Sequence, residues 1–242
     1  LKLRLNKYLS MCGVSSRRNA DELIQGGSVS INGKTERGLG HTIDPEKDAI
    51  RVRGKLINPE RKRYILLNKP KLYITALGEG QDEKKTIQEL IAKIPERVYP
   101  VGRLDYDVEG LLILTNDGEL ANRVLHPSFE LTKVYSAVVK GNINEEKCLR
   151  MQKGVELEDG YAKPDSLKVL KADNSLSTVQ ISFHEGRNHL VKRFFLEFKH
   201  PVRQLRRISV GPLNIGNIER GQWRDLTNRE LKSLRKALGL EN

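Results

Sequence analysis

The chain has 242 residues, 38% of them hydrophobic and 31% charged, with a formal net charge of +12. That length suits one large domain or a medium domain with a small companion, and charges so mixed in sign exclude a disordered tail. Two cysteines, Cys12 and Cys148, exclude a disulfide framework and a cysteine-rich zinc site, and no apolar run reaches the ~18 residues that span a bilayer.

Residues 1–63 hold 14 Lys and Arg against 7 Asp and Glu, whereas the remainder holds 29 against 24. A quarter of the length therefore carries over half of the excess charge, which favours a polyanionic partner. The opening LKLRLNKYLS alternates charge with leucine and lacks the apolar core of a signal peptide, so a cytoplasmic protein is expected. Residues 4–12, RLNKYLSMC, set Leu5, Leu9 and Cys12 on one helical face with Tyr8 beside them, and Gly13 stops that helix. Ser15 or Ser16 caps a second helix, SRRNADELIQ, whose inner side holds Ala20, Leu23 and Ile24. SVSINGKTE then reads as a hairpin turning at Asn32-Gly33, the pair a type I′ turn prefers, and DAIRVRGK as a further strand. These elements make a small domain over residues 1–57, barely able to stand alone. Arg17 and Arg18 occupy the first turn of the second helix, where the dipole prefers acids. Beside free backbone N–H groups their guanidiniums suit a phosphate; a solvated basic face is the competing role.

NPERKR, residues 58–63, is polar and proline-bearing and reads as a linker, and a second domain is expected over 64–242. RYILLNKP is a short buried strand ending in a turn, and TIQELIAKI an amphipathic helix opened by the capping box of Thr86 and Glu89. GLLILTNDG, KVYSAVVKG, AKPDSLKVLKA and STVQISFHEG are mostly strands separated by Gly, Asn, Asp and Pro. HLVKRFFLEF interrupts them as a helix, and TNRELKSLRKAL, capped by Thr227 and Glu230, is another. Strands in runs with inserted helices argue an α+β fold with a mixed, largely antiparallel sheet flanked by helices.

VGRLDYDVEGLLILTNDG, residues 101–118, sets Asp105 and Asp107 against the buried run Leu111–Leu114. In an extended chain the two carboxylates would point to one side, roughly 6.5–7 Å apart from the strand rise. Three roles fit them. They are solvated loop acids, one of them paired with Arg103, or a glycosidase pair, whose inverting form spans about 6.5–9.5 Å. Otherwise one is a nucleophile held by a cation and its neighbour is incidental. Sugar-stacking platforms are scarce, since aromatics make up 5% and Trp223 is the one tryptophan. A buried nucleophilic carboxylate needs a positive partner, because alone it takes up a proton. HEGRNHLVKRFFLEF offers candidates: Leu190, Val191, Phe194, Phe195 and Phe198 form an apolar stripe, Lys192 and Arg193 flank it, and Arg187 sits in the turn before. A solvated basic helix face is the alternative there. His184, His189 and His200 lack zinc spacing and read as structural or RNA-facing. No phosphate-binding or dinucleotide-binding glycine loop is present, so neither metal nor cofactor is expected.

RLNKYLSMCGVSSRRNADELIQGGSVSINGK resembles an S4 RNA-binding domain. ILLNKP, YPVGRLDYDVEGLLILTNDGELANRVLHPS, KVYSAVVKG and EGRNHLVKRFF…HPVRQLRRISVGPL…GQWRDLT resemble, in order, the catalytic domain of bacterial ribosomal RNA pseudouridine synthases of the RsuA/RluB type. ELANRVLHPS leans toward the large-subunit branch, and the likeness runs through nearly the whole chain. It implies a monomer that isomerises a uridine of ribosomal RNA, naked or in an assembly intermediate, by base flipping and without metal or cofactor. Position by position, Asp105 matches the catalytic carboxylate, Tyr135 the tyrosine that packs on the target uracil, and Lys192 the basic residue that pairs with the aspartate. Arg17, Arg18, Arg103, Arg187, Arg193, Arg206 and Arg207 are the expected RNA contacts. Leu190 replaces the family's usual glutamine, Leu72 its glycine, and Val108 a common threonine.

Overall fold

Leu5, Tyr8 and Leu9 share the inner side of helix α1 (Leu5–Met11), each at most 3% exposed, so Tyr8 is a central member of that face. The computed structural model describes residues 2–78 and 83–240, and α1 belongs to the first of two units, the residues up to Arg63 with Ile94–Val98. Strand β1 (Leu3–Arg4) precedes it. Helix α2 (Arg17–Gln25) follows, then strands β2 (Val29–Ile31), β3 (Lys34–Glu36), β4 (Thr42–Ile43), β5 (Ile50–Val52) and β6 (Lys55–Leu56). Ser16 is the cap of α2, its hydroxyl accepting the Asn19 N–H at 3.2 Å. β3-β2-β5-β6 form one sheet, and β1 pairs with β4. Arg53 and Gly54, both at positive φ, turn β5 back as β6, so the single strand expected over DAIRVRGK is a second hairpin. Ala20, Ile24, Val29, Ile43 and Ile50 complete this core, while Leu23 is only half-buried. Ile94–Val98 is tied in by the Arg97 N–H on Glu60 at 2.9 Å and by Arg63 on Glu96 at 3.0 Å.

The second unit comprises Tyr64–Lys93 and the residues from Tyr99 onward. Its elements are β7 (Tyr64–Lys69), α3 (Ile87–Leu90), β8 (Tyr99–Val101), β9 (Glu109–Thr115), α4 (Gly118–Leu125), β10 (Lys133–Lys140) and α5 (Glu145–Gln152). There follow β11 (Val155–Leu157), β12 (Gly160–Ala162), β13 (Ser166–Ala172), β14 (Leu176–Phe183) and α6 (Leu190–Glu197). β15 (Val202–Val210), β16 (Leu213–Asn214), β17 (Trp223–Asp225) and α7 (Asn228–Ala237) complete it. A nine-stranded sheet runs β13-β14-β10-β15-β9-β7-β17, with β8 beside β9 and β16 beside β15. β15 and β9 are parallel and the other pairs antiparallel, so the fold is α+β with a mixed, largely antiparallel sheet.

All seven residues of β9 are buried. Leu111 and Ile113 from that strand and Leu66 from β7 pack against Leu120, Ala121 and Val124 of α4 and Leu234 of α7. Each such leucine stabilises the fold by about 1.5–3 kcal/mol. Helix α3 keeps its capping box but ends after one turn, at Leu90. Pro95 pushes the residue before it out of helical backbone, so the helix expected as far as Ile94 cannot extend there. The strand-dominated sequence pattern also concealed α4 and α5. Asn116-Asp117-Gly118 is a turn and a cap at once, since the Asp117 carboxylate accepts the N–H groups of Glu119 and Leu120 at 3.2 and 3.4 Å.

One row of the sheet positions the site. Lys69 of β7 opposes Gly110 of β9, Gly110 opposes Arg207 of β15, and Arg207 opposes Tyr135 of β10. Gly110 has φ 118, and a Cβ added there would lie 2.2 Å from the Arg207 carbonyl oxygen. Only glycine lets these two backbones meet, both for its dihedral and for its missing side chain.

Candidate active site

Asp105 lies in a turn. The Val108 N–H donates to the Asp105 carbonyl at 3.1 Å, closing the chain just before β9. The extended pair of carboxylates expected from the spacing is therefore absent, because the end of β7 and the segment after it grip this loop. The Lys69 ammonium, fully buried, donates to the carbonyls of Pro70, Asp105 and Val108 at 3.0, 3.1 and 2.9 Å. The Leu72 N–H reaches Tyr106 O at 2.7 Å, and the Thr75 hydroxyl donates to Leu104 O at 2.7 Å. Burial pulls the pKa of Lys69 down to about 8; Asp105 and Asp107 oppose the drop and Arg207 adds to it.

The opposite wall is α6. Lys192 Nζ lies 3.1 Å from Asp105 Oδ2 and 2.6 Å from Asp107 Oδ1, so the turn delivers both carboxylates to one ammonium. Asp107, expected to be incidental, takes the shorter contact. Burial disfavours the charge on Lys192, yet the two carboxylates outweigh it and raise its pKa above the ordinary lysine value. Partial burial would raise that of Asp107, but the Lys192 bond and charge hold it below the usual carboxylate range. His189 caps α6 in the left-handed conformation, φ 50 and ψ 24, with its Nε2 3.4 Å from Asp105 Oδ1. The sequence placed His189 only as structural or RNA-facing.

Arg103, Asp105, Tyr135, Arg187, His189, Lys192 and Arg207 line one cavity of about 780 Å³, within the range of about 300–1,000 Å³ usual for small-molecule sites. Leu104, Val108, Leu131, Phe183 and Leu190 supply apolar walls. Tyr135 and Arg207 stand side by side on the sheet that floors it. Lys133, two residues before Tyr135 on the same face, donates to His184 O at 2.8 Å; burial lowers its pKa, and the charge of Arg207 lowers it further.

The expected RNA-contacting arginines divide sharply. Arg103 is exposed at the cavity. Arg187 is engaged on all sides, with Glu185 at 2.6 Å, Asp159 at 3.0 Å, and the carbonyls of Gly160 and Tyr161 at 2.9 Å each. Arg193 grips both carboxylate oxygens of Asp159, at 2.8 and 2.6 Å. These contacts fasten the β11–β12 hairpin to the start of α6. Arg206 points to the other face of the sheet from Arg207, and its Nε is buried without a hydrogen-bond partner among the described residues. Arg207, taken from the sequence as one of a basic surface run, is only 6% exposed. Arg17 and Arg18 are exposed on the first turn of α2, in the other unit, and are not part of this cavity.

The three departures from the family pattern have distinct settings. Leu72 has φ 66 and is 61% exposed, so it holds the backbone shape that glycine adopts without strain. Leu190 is part of the cavity's apolar wall, and Val108 is buried beneath the Asp105 turn. Lys69 is the residue with no role assigned from the sequence; its signal is a lysine two residues after the apolar run ILL, in a buried strand where a charge must find partners. Among the described residues no three His, Cys, Asp or Glu side chains come together to hold a metal ion, and no helix is long and apolar enough to cross a membrane.

Known proteins share this architecture. Residues 63–197 match the family described as RNA pseudouridylate synthase, and residues 3–48 match the S4 domain. An uncharacterized RNA pseudouridine synthase of Aquifex aeolicus is 53% identical over 241 residues, spanning 100% of this chain and 97% of that protein. Ribosomal large subunit pseudouridine synthase B of Bacillus subtilis is 42% identical, over 96% of this chain and 95% of that protein. A crystal structure of a pseudouridylate synthase superposes with a TM-score of 0.67 at 29% identity, covering 96% of this chain and 99% of that one.

Proposed function

This chain belongs to the RNA pseudouridylate synthase family, and from that premise we propose that it isomerises a specific uridine of ribosomal RNA, in the large subunit, with Asp105 as the catalytic carboxylate. The observation that carries the assignment is the setting of Asp105: a turn pinned by Lys69, one carboxylate oxygen on Lys192 at 3.1 Å, and an open cavity shared with Tyr135. The large-subunit preference is supported by the likeness to the Bacillus subtilis protein.

The reaction breaks the N1–C1′ bond of a uridine, turns the base and rejoins it through C5. Atoms and oxidation state are conserved, so the chemistry requires no external reactant. The reacting atoms are out of reach inside a stacked helix, and flipping the nucleotide out costs a few kcal/mol. Phosphate contacts offset that cost, with Arg17 and Arg18 on the S4 domain and Arg103 at the cavity as donors. Once inside, the uracil lies on Tyr135, a stacking contact worth about 1–3 kcal/mol. Lys192 sets a positive charge 3.1 Å from the Asp105 carboxylate, the group that acts on the ribose or on the base ring. In this reading the protein acts as a monomer, on naked RNA or on an assembling particle.

The test uses ribosomal RNA transcribed with uridine tritiated at C5, the hydrogen that the reaction expels. Wild-type protein releases tritium to water, and Asp105→Asn releases none while its RNA affinity stays within about twofold, since a neutral isostere removes no phosphate contact. Release by the variant at the wild-type rate would remove Asp105 from the chemistry. Silence of the wild type on both subunit RNAs and on assembling particles would remove the isomerase assignment.

A further inference from the structure

We infer that Arg207 is a uracil clamp: from the floor of the cavity its guanidinium donates to a carbonyl oxygen of the flipped base and keeps doing so while the base turns over. The inference rests on the assignment of this cavity as the isomerisation site. Arg207 is 6% exposed and lines the cavity. Its Nε donates to Leu111 O at 2.8 Å, which fixes one edge of the guanidinium. Among the described residues that is its one hydrogen bond, and no carboxylate forms an ion pair with it. Arg187 on the rim has Glu185, Asp159 and two carbonyls instead. Buried arginines are paired, because an uncompensated charge with idle donors is costly. The terminal nitrogens of Arg207 are not among the buried unpartnered atoms; they open into the cavity, where an acceptor on the bound base can meet them.

Position identifies that acceptor. Arg207 is the cross-strand neighbour of Tyr135, and such partners lie about 4.5–5.5 Å apart at Cα. The guanidinium thus borders the ring on which the base is stacked, where the edge of a uracil sits. The phosphates that flank a flipped nucleotide stay nearer the mouth, at exposed Arg103. Uracil carries two carbonyls symmetrically about the line through C6 and N3. Half a turn about that line exchanges N1 with C5, as the reaction requires, and exchanges O2 with O4 at the same time. One fixed donor consequently meets a carbonyl oxygen in both orientations.

The clamp also has an electrostatic task. When N1–C1′ breaks, the bond pair leaves with the ring, and the negative charge is shared among N1, O2 and O4. Meanwhile C1′ takes a carboxylate oxygen of Asp105, or the C2′–H pair as that proton moves to Asp105; rejoining reverses either step. The C5–C1′ bond forms with the ring's electrons, the C5 proton goes to solvent and N1 gains a proton. A cation held at a carbonyl oxygen inside a desolvated pocket favours the detached ring over the bound nucleoside.

The experiment measures release of C5 tritium and RNA binding against salt for wild type, Arg207→Gln and Arg207→Lys. Arg207→Gln is expected to slow release at saturating RNA by about 100-fold or more, with Arg207→Lys retaining part of the rate through its charge. Neither variant is expected to move the Kd beyond about twofold or to change its salt dependence. Weaker binding with a log–log salt slope shallower by about 0.7, at an unchanged saturated rate, would make Arg207 a phosphate contact and overturn the inference. A probe on the wild type alone covers variants that fail to fold: RNA carrying 2-thiouridine or, separately, 4-thiouridine, with product read after digestion to nucleosides. Sulfur accepts hydrogen bonds poorly, so both substitutions are expected to slow turnover, because each carbonyl occupies the clamp in one of the two orientations. Slowing by neither, or by one alone, would overturn it. Wild-type silence on unsubstituted RNA is a different failure, that of the isomerase assignment.

Discussion

The rim of the cavity and its floor treat arginine in opposite ways. On the rim Arg187, and beside it on α6 Arg193, have their donors filled by Glu185, Asp159 and the carbonyls of the β11–β12 hairpin, and they serve to hold that hairpin against α6. On the floor, Arg207 is more deeply buried yet has a single protein acceptor. A cluster of basic residues in a sequence does not reveal which cations meet RNA. The fold separates those already paired with a carboxylate from those left to another acceptor.

The floor breaks first under Gly110→Ala. The added methyl meets the Arg207 backbone at 2.2 Å in a dihedral that L-residues avoid, and a loss of about 3 kcal/mol or more, or outright failure to fold, is expected in urea denaturation. The next largest effect comes from beneath the floor. The Lys69 ammonium, with a pKa of about 8, secures the Asp105 turn, so kcat/KM should fall as pH rises through about 8. Unfolding does not mimic this limb. Between about 8 and the ordinary 10.5 the unfolded chain holds the Lys69 proton more tightly than the folded one, so this group makes stability rise with pH there. A thermal-melting series over the same pH range checks that sign.

Binding sharpens the contrast among the arginines. Arg17→Ala should weaken RNA affinity severalfold and make the log–log salt slope shallower by about 0.7, as loss of one single-strand phosphate contact does. Arg193→Ala should leave the slope unchanged, because Asp159 already neutralises that guanidinium; it should instead lower the turnover rate by loosening the start of α6. The smallest effect is Leu72→Gly, which keeps the backbone N–H that reaches Tyr106 O and so leaves the Asp105 turn held. Relief of the left-handed strain at an exposed site should stabilise the fold by about 1 kcal/mol, visible as a higher Tm with activity unchanged.

Much of this was written in the chain. The apolar run of β9, both capping boxes and the stripe of α6 follow from periodicity, and they place Asp105 beside a core and Lys192 at the edge of another. The Asp105 turn was not legible, because it is held by Lys69, Leu72 and Thr75 from another segment, and local propensity records no such contacts. α4 escaped because Asn-Asp-Gly signals a turn as strongly as a helix cap. Arg207 had a readable sign that its charge obscured: in VRQLRRISV it shares the strand face of Leu205, two residues earlier, and that face is buried.

The parallel pairing of β9 with β15 sets a timetable for the molecule. It joins Gly110 to Arg207 and Glu109 to Arg206, about a hundred positions apart, with β10 through α6 lying between them in sequence. Contacts of such long range form slowly and late, whereas the first unit draws almost entirely on the leading 63 residues. During synthesis, at about 5–20 residues per second, N-terminal units fold first. The residues of the S4 domain and of Ile94–Val98 are thus all synthesised before β15 can complete the cavity floor, and the part of the chain that matches an RNA-binding fold precedes the part that would do the chemistry.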